Sequence, residues 1–315
     1  MRQNLDYSEL ELIIVSNFEI DAGILDSEAK PSSIVIDGTI GEFLYAGVKA
    51  AKFDLISFLD DDDIFMPGKL KAVREVFEEN RGLCYYHNAL EYFDKNLKPI
   101  DYVRLVERKS RTFSKNRVCV DIKSNHKSIK AAIDLNGDFN LSCISIRKET
   151  FSKYLPLLKQ IKGSTDSFFF WSSAISLEQL MLDDRKFTGY RVHNLNVSGS
   201  INIEKKVKEI NKQIYTYDLL LNLIGQSNNY DYLNKYLSKW VLLYKLEYIL
   251  TSYIFQNVSR ISKLKTLIEL LKIGDGHSNA LKFRISALSL ISILCVSLAQ
   301  KIYWRIKESS QPEAV

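Results

Sequence analysis

The order of apolar and polar positions divides the chain into an α/β part followed by a helical part. Short apolar runs at 10–15, 33–36, 55–59, 82–87 and 141–146 are bounded by turn or charged residues, and each predicts a strand rather than a helix. After Pro67, Leu70, Val73, Val76 and Phe77 recur at helical spacing, while Lys69, Lys71, Arg74, Glu75 and Glu78 are assigned to the opposite face. Further helices are predicted over 148–158 and where Phe168, Phe169, Phe170 and Trp171 follow Thr165 and Asp166. Strands alternating with helices predict an α/β fold, with a βαβ unit over 10–36. Beyond Ile203, residues 219–224, 233–253 and 264–271 are dense in Leu, Ile and Tyr at helical spacing. The expected organisation is an α/β domain over 1–202, a helical extension over 203–275 and an amphipathic helix over 280–308.

The strand predicted at 55–59 runs directly into Asp60, Asp61, Asp62 and Asp63. In open α/β sheets the carboxyl ends of strands are the edge where ligands bind. Alternate side chains of an extended turn project to one side, so Asp60 and Asp62 can converge on one point. Adjacent carboxylates repel one another, and a magnesium or manganese ion is the natural occupant, its other positions filled by water and substrate phosphates. The competing reading is a solvated acidic turn with one Asp capping the next helix. An EF-hand loop fits poorly, because Phe65 stands where the turn glycine belongs. His87, near the end of its strand, reads as a hydrogen-bonded structural residue. Residues 94–130 are polar, rich in Lys and Arg, and broken by turn residues, which predicts a mobile loop region or a solvated surface.

Composition narrows the class. Hydrophobic residues make up 46% and charged residues 26%, which is ordinary for a folded protein. Cys84, Cys119, Cys143 and Cys295 form no CxxC pair, which argues for a reducing compartment and against a zinc site. Asp6, Glu9, Glu11 and Glu19 interrupt any secretory leader, so a cytoplasmic location is expected. Residues 201–315 hold 16 Lys and Arg against 9 Asp and Glu, a net of +7 in a chain of net +5. Within them, 285–299 lacks charge and falls short of the ~20 residues of a span. Flanked by Lys282, Arg284, Lys301, Arg305 and Lys307, it is expected to lie peripherally on an anionic membrane surface at the inner face of the cell membrane. No motif points to a nucleic-acid partner.

Several strings resemble glycosyltransferase family 2, inverting enzymes of GT-A fold. Ile56-Ser57-Phe58-Leu59-Asp60-Asp61-Asp62-Asp63 followed by Met66-Pro67-Gly68-Lys69-Leu70 resembles the family's DxD region. Glu9-Leu10-Glu11-Leu12-Ile13-Ile14-Val15-Ser16-Asn17 resembles its second strand, 41–52 the helix before the DxD strand, and Tyr190-Arg191-Val192-His193 with Asn196 and Ser198 a late element of the family. The resemblance covers roughly residues 1–200. It implies a GT-A-like, Rossmann-like, mostly parallel sheet flanked by helices, a nucleotide-sugar donor, and a glycan or lipid-linked acceptor. Asp60, Asp62 and His193 would hold Mg or Mn, and Ser16, Asn17, Asp60, Asp61, Arg191 and His193 would contact the donor.

In the family an acid at the position of Asp166 removes the acceptor proton, which makes Asp166 the expected catalytic base; the residue also suits a helix N-terminus. Arg191 and His193 alternate along a strand and share a side, as phosphate contacts or as a structural salt bridge. Residues 1–8 resemble the end of the family's first helix, so the family's first strand is expected to be missing. Ser16 and Asn17 replace the Asp that meets a uracil base, and Leu44-Tyr45 replaces an Arg-Asn pair. These departures leave a second reading, an inactive relative that serves as a binding partner in a glycan-assembly complex.

Overall fold

The computed structural model describes residues 3, 5–25, 30–100, 117–192, 203–224, 231–255, 259, 261, 297–298 and 301. His193, the helix expected over 264–271 and nearly all of 285–299 lie outside the described residues. The chain divides into two compact units, residues 1–100 with 108–193 and residues 101–107 with 194–315.

In chain order the first unit comprises β1 (Ile13–Ser16), α1 (Ala22–Leu25), β2 (Ser32–Val35), α2 (Ile40–Ala50), β3 (Leu55–Ser57), β4 (Ile64–Phe65), α3 (Lys69–Glu79), β5 (Leu83–Phe93) and β6 (Arg117–Asp121). It continues with α4 (Ile129–Asp134), β7 (Ile144–Arg147), α5 (Lys148–Phe151), α6 (Leu155–Leu158), α7 (Thr165–Ser176) and β8 (Gln179–Arg191). The apolar runs at β5 and β7 become strands with both faces covered, whereas β2 is largely exposed. Along β5, Tyr86 turns towards α3, joining Val73, Val76, Phe77, Leu83 and Met181 in one cluster. Its neighbour Tyr85 turns the other way, its ring 5.9 Å from Phe170 of α7. On that side Phe58 and Phe169 pack at 4.5 Å, and Phe168, Phe169, Phe170 and Trp171 are fully buried. Helix α2 begins with a capping box, Thr39 and Glu42 each accepting from the other's backbone N–H.

The expected βαβ unit is present: β1 and β2 pair in parallel as a two-stranded sheet. The larger sheet corrects the expectation of mostly parallel strands. Its order is β3-β7-β5-β8-β4, with β6 also on β8; only β5 and β8 run parallel, and the other four pairings are antiparallel. The reason lies in the entry to β7. Phe58, at the end of β3, donates to the carbonyl of Ile144, where β7 begins, so β7 starts beside the carboxyl end of β3 and must run against it.

Other expectations shift locally. The run 141–146 opens with a 3-10 turn, Leu141–Cys143, before β7. The helix expected over 148–158 breaks into α5 and α6, with Pro156 in the first turn of the second. Residues 94–130 hold β6 and part of α4, because the β6 backbone pairs with the edge of β8 over residues 179–183. Strand β3 is half-buried rather than buried. Lys69, assigned to the polar face of α3, is fully buried.

Strand β8 carries a bulge that matters for the site. Asn88 pairs with Asp183 but Ala89 pairs with Lys186, so two residues of β8 loop out. Fully buried Asp183 is satisfied by Arg185 Nε and Nη2 at 3.0 and 2.6 Å, Arg117 Nε at 3.2 Å and Tyr86 Oη at 3.0 Å. This clamp fixes the bend that sends the end of β8 to β4. Gly189 lets the two strands meet, since a Cβ there would lie 2.6 Å from Ile64 Cγ1.

In the second unit α8 (Ile203–Ile224) and α9 (Asp231–Phe255) pair antiparallel, with Asp218 bonded to Lys245 at 3.1 Å and Tyr217 facing Tyr244 at 5.2 Å. Among the described residues no helix is long and apolar enough to cross a membrane.

Candidate active site

The four acids form a tight turn between β3 and β4, closed by Asp63 N–H donating to Asp60 O at 3.2 Å. Asp61 is exposed, Asp60 and Asp62 are half-buried, and Asp63 is buried at 5% exposure. The sequence therefore splits the acids by role. Asp63 points inward and is structural: its Oδ2 accepts from Asn140 Nδ2 at 2.9 Å and its Oδ1 from the Arg191 backbone N–H at 3.2 Å. Asp60 is held through its backbone, its N–H donating to Ser142 Oγ at 2.9 Å.

The turn is braced from behind by Lys69, the first residue of α3. Gly68 takes a left-handed φ of 78° at the helix N-cap, a conformation that suits glycine, and turns the chain so that Lys69 points inward. Its Nζ donates to Ser142 O and to Thr188 Oγ1 (3.0 Å for the latter), and sits 3.9 Å from the centre of the Phe65 ring. Thr188 Oγ1 donates to the same Ser142 carbonyl at 3.0 Å and accepts from Asn88 Nδ2 at 2.9 Å. Ser142 thus ties the acidic turn, α3, β5 and β8 together.

Asp166 arrives from a different element. Ser164, with a φ of 54°, is the N-cap of α7, and Asp166 lies in the first turn rather than at the cap. Its Oδ2 accepts from Asn140 N–H at 3.1 Å and its Oδ1 from Ser167 N–H at 2.8 Å. Asn140, at φ 68° and 6% exposure, bonds Asp166 through its backbone and Asp63 through its side chain, and its Oδ1 is buried without a hydrogen-bond partner.

The electrostatics follow from this convergence. Burial foremost, then the charges of Asp63, Asp62, Asp166 and Asp61, push the Asp60 carboxyl up to about 7. Burial also raises Asp63, against the hydrogen bonds from Asn140, Ser142 and Arg191 that lower it. Burial pulls the Lys69 amine down to about 7. Carboxylates that raise one another present only hard oxygen donors, which is the chemistry Mg or Mn takes. Among the described residues no group of three or more His, Cys, Asp or Glu could enclose a metal. The residues fit an open site of two carboxylates completed by water and phosphate.

The same shifts set the pH dependence of the metal-free protein. Between 3.8 and about 7 the folded state keeps a proton on Asp60 that the unfolded chain has lost, so stability falls as pH rises. Between about 7 and 10.5 the unfolded chain keeps a proton on Lys69 that the folded state has lost, so stability rises again. Thermal melts in EDTA are expected to show a shallow minimum near pH 7, and Asp60→Asn is expected to flatten the acidic limb. An unchanged limb in Asp60→Asn would contradict the assignment.

Of the residues singled out in the sequence, the structure brings Asp60, Asp61, Asp62 and Asp166 together, and brings the Arg191 backbone to Asp63. Ser16 ends β1 in the other sheet and Asn17 follows it; Ser16 is buried with its Oγ donating to Phe18 O at 2.5 Å, and Asn17 is exposed. His87 is buried with Nε2 bonded to Phe139 O at 2.7 Å, a structural contact. Sequence reasoning missed Asn140, Ser142 and Lys69. Lys69 had a signal, since 69, 73 and 76 share one helical stripe; Asn140 and Ser142 act through chain reversals that leave none.

The model described as Glycosyl transferase family 2 matches residues 2–133. A Haemophilus influenzae protein described as an uncharacterized glycosyltransferase is 23% identical over 275 residues, covering 83% of this chain and 84% of its own. The crystal structure of S. aureus TarS 1-349 superposes with a TM-score of 0.55 at 11% identity, covering 98% of this chain and 83% of that one. Its complex with UDP-GlcNAc gives 0.57 at 12%, covering 99% and 86%. The chain is therefore similar in sequence to family 2 glycosyltransferases across the acidic turn, and in fold to TarS along nearly its whole length.

Proposed function

We propose that this chain is a glycosyltransferase of GT-A-like fold that moves a sugar from a nucleotide-sugar donor to a hydroxyl acceptor with inversion. The observation that carries the reading is the convergence of the Asp60 turn and Asp166, from two separate elements, at the carboxyl end of β3. Asp60 and Asp62 would hold Mg or Mn, and such a bound cation offsets charge on a leaving diphosphate. Asp166 accepts the proton of the acceptor hydroxyl. The freed oxygen pair forms the new bond to the anomeric carbon, while the pair of the old carbon–oxygen bond leaves with the diphosphate. Asn140 and Ser167 fix Asp166 through backbone N–H groups, which orients the base before substrate arrives. Arg191, whose backbone N–H is tied to Asp63, would meet a donor phosphate with its guanidinium. The similarity over residues 2–133 supports the same reading, as does the fold shared with a protein solved with UDP-GlcNAc.

A screen of UDP-, GDP-, CMP- and dTDP-sugars by thermal shift tests the donor site. One of them is expected to raise Tm with Mn present and not in EDTA, because only ligand bound to the folded state stabilises it. The basic carboxyl-terminal part, net +7 over 201–315, supports peripheral docking to an anionic membrane surface at the cytoplasmic face.

A further inference from the structure

Of positions 69, 73 and 76 on one stripe of α3, only 69 is charged; Val73 and Val76 join the cluster that holds Leu83 and Tyr86. The Lys69 side chain is fully buried, and the two oxygens that receive its amine, Ser142 O and Thr188 Oγ1, are neutral. Taking an ammonium out of water costs about as much as such hydrogen bonds return, so an apolar side chain of similar length would serve the core equally well. The bonds lead instead to the acidic turn. Ser142, whose carbonyl Lys69 holds, engages two of the four acids through its hydroxyl: it accepts from Asp60 N–H at 2.9 Å, and its bond to Asp63 lowers that carboxyl. Thr188 and Asn88 brace the same point from β8 and β5, Thr188 Oγ1 donating to the Ser142 carbonyl at 3.0 Å and accepting from Asn88 Nδ2 at 2.9 Å.

We propose that Lys69 is a positioning residue for the metal: acting through Ser142, it sets the place of Asp60 in the acidic turn, and with it the affinity of the turn for a divalent cation. The inference rests on the glycosyl-transfer reading and adds the residue on which the open two-carboxylate site depends. A site that supplies few protein ligands relies on where each of them stands. Asp60 lies beyond the end of β3, so no strand partner fixes it, and Ser142 belongs to the short 3-10 turn Leu141–Cys143 rather than to a strand. Two donors on one carbonyl pin that turn between α3 and β8. Methionine at position 69 would fill the space and donate nothing, leaving Thr188 alone on the carbonyl.

Titration of Mn into the full chain with a mixture of UDP, GDP, CMP and dTDP tests the role, read as the enhancement of water-proton relaxation over that of Mn and nucleotides alone. Lys69→Met is expected to melt within about 3 °C of the parent and to bind Mn about tenfold more weakly, the loss found when residues that orient metal ligands are removed. Ser142→Ala is expected to weaken Mn by a similar factor. The double variant Lys69→Met with Ser142→Ala is expected to lose no more than the weaker-binding single variant, because both changes lie on one route to Asp60. Should Lys69→Met unfold, Thr188→Val, which removes a partner of both the amine and the carbonyl, carries the same comparison. Mn affinity within about twofold of the parent, or losses that multiply in the double variant, would overturn the role of Lys69 alone. A parent chain that gives no enhancement with any of the nucleotides would end the glycosyl-transfer reading, and the role of Lys69 with it.

Discussion

Asp166→Asn is expected to lower transfer by about 10²–10⁴ while leaving donor affinity within about twofold. Asn has nearly the volume of Asp but only one accepting oxygen, so it keeps one of the two bonds from the Asn140 and Ser167 N–H groups and turns its amide towards the other, a local cost at the first turn of α7 that a thermal melt of the variant reads. What it loses is the capacity to take a proton. A base that acts on the acceptor contributes in the transition state, and its removal falls on turnover rather than on binding. Steady-state kinetics with donor titrated at saturating acceptor separates the two quantities. Retained turnover would remove Asp166 from the reaction, and a large loss of donor affinity would move it to the donor site instead.

Lys69→Ala is expected to be the most damaging single truncation behind the site. The side chain is fully buried, and its truncation to Cβ removes three methylenes and the amine from the interior. Large-to-small changes of this kind cost about 2–5 kcal/mol. Thr188 remains to serve the Ser142 carbonyl, which limits the further cost of the lost bonds. For a unit of this size a loss of that order lowers Tm by roughly 5–15 °C. Lys69→Met should recover most of the stability, because the cost of burying an ammonium is comparable to what its hydrogen bonds return. Differential scanning calorimetry decides the matter; Lys69→Ala within about 1 °C of the parent would contradict the packing described here.

These two residues also mark how far the sequence could be read. The acids at 60–63 were legible because an apolar run that ends in charge has few places in an α/β sheet other than its carboxyl edge. Helix α3 was legible from its period, but Lys69 was set on the polar face because its charge outweighed its position on the 69, 73, 76 stripe. Buried among Ser142, Thr188 and Phe65, it obeys the period rather than the charge. The antiparallel course of β7 was not legible, since pairing direction depends on where the chain re-enters the sheet and not on the composition of the strand. For the same reason the meeting of Asn140 with Asp63 and Asp166, 77 and 26 residues away, left no trace in any local window.

The central claim, a metal-assisted nucleotide-sugar site on the Asp60 turn, is tested most directly by calorimetric titration of the stabilising nucleotide sugar into the intact chain with Mn, with EDTA, and with Asp62→Ala. Asp62 is half-buried on the turn, so its loss should spare the fold. The account predicts a binding heat with Mn that disappears in EDTA and in Asp62→Ala, while the melting profile of the variant matches the parent. Binding of equal affinity in all three conditions, or no binding of any nucleotide sugar in the presence of Mn, would contradict it.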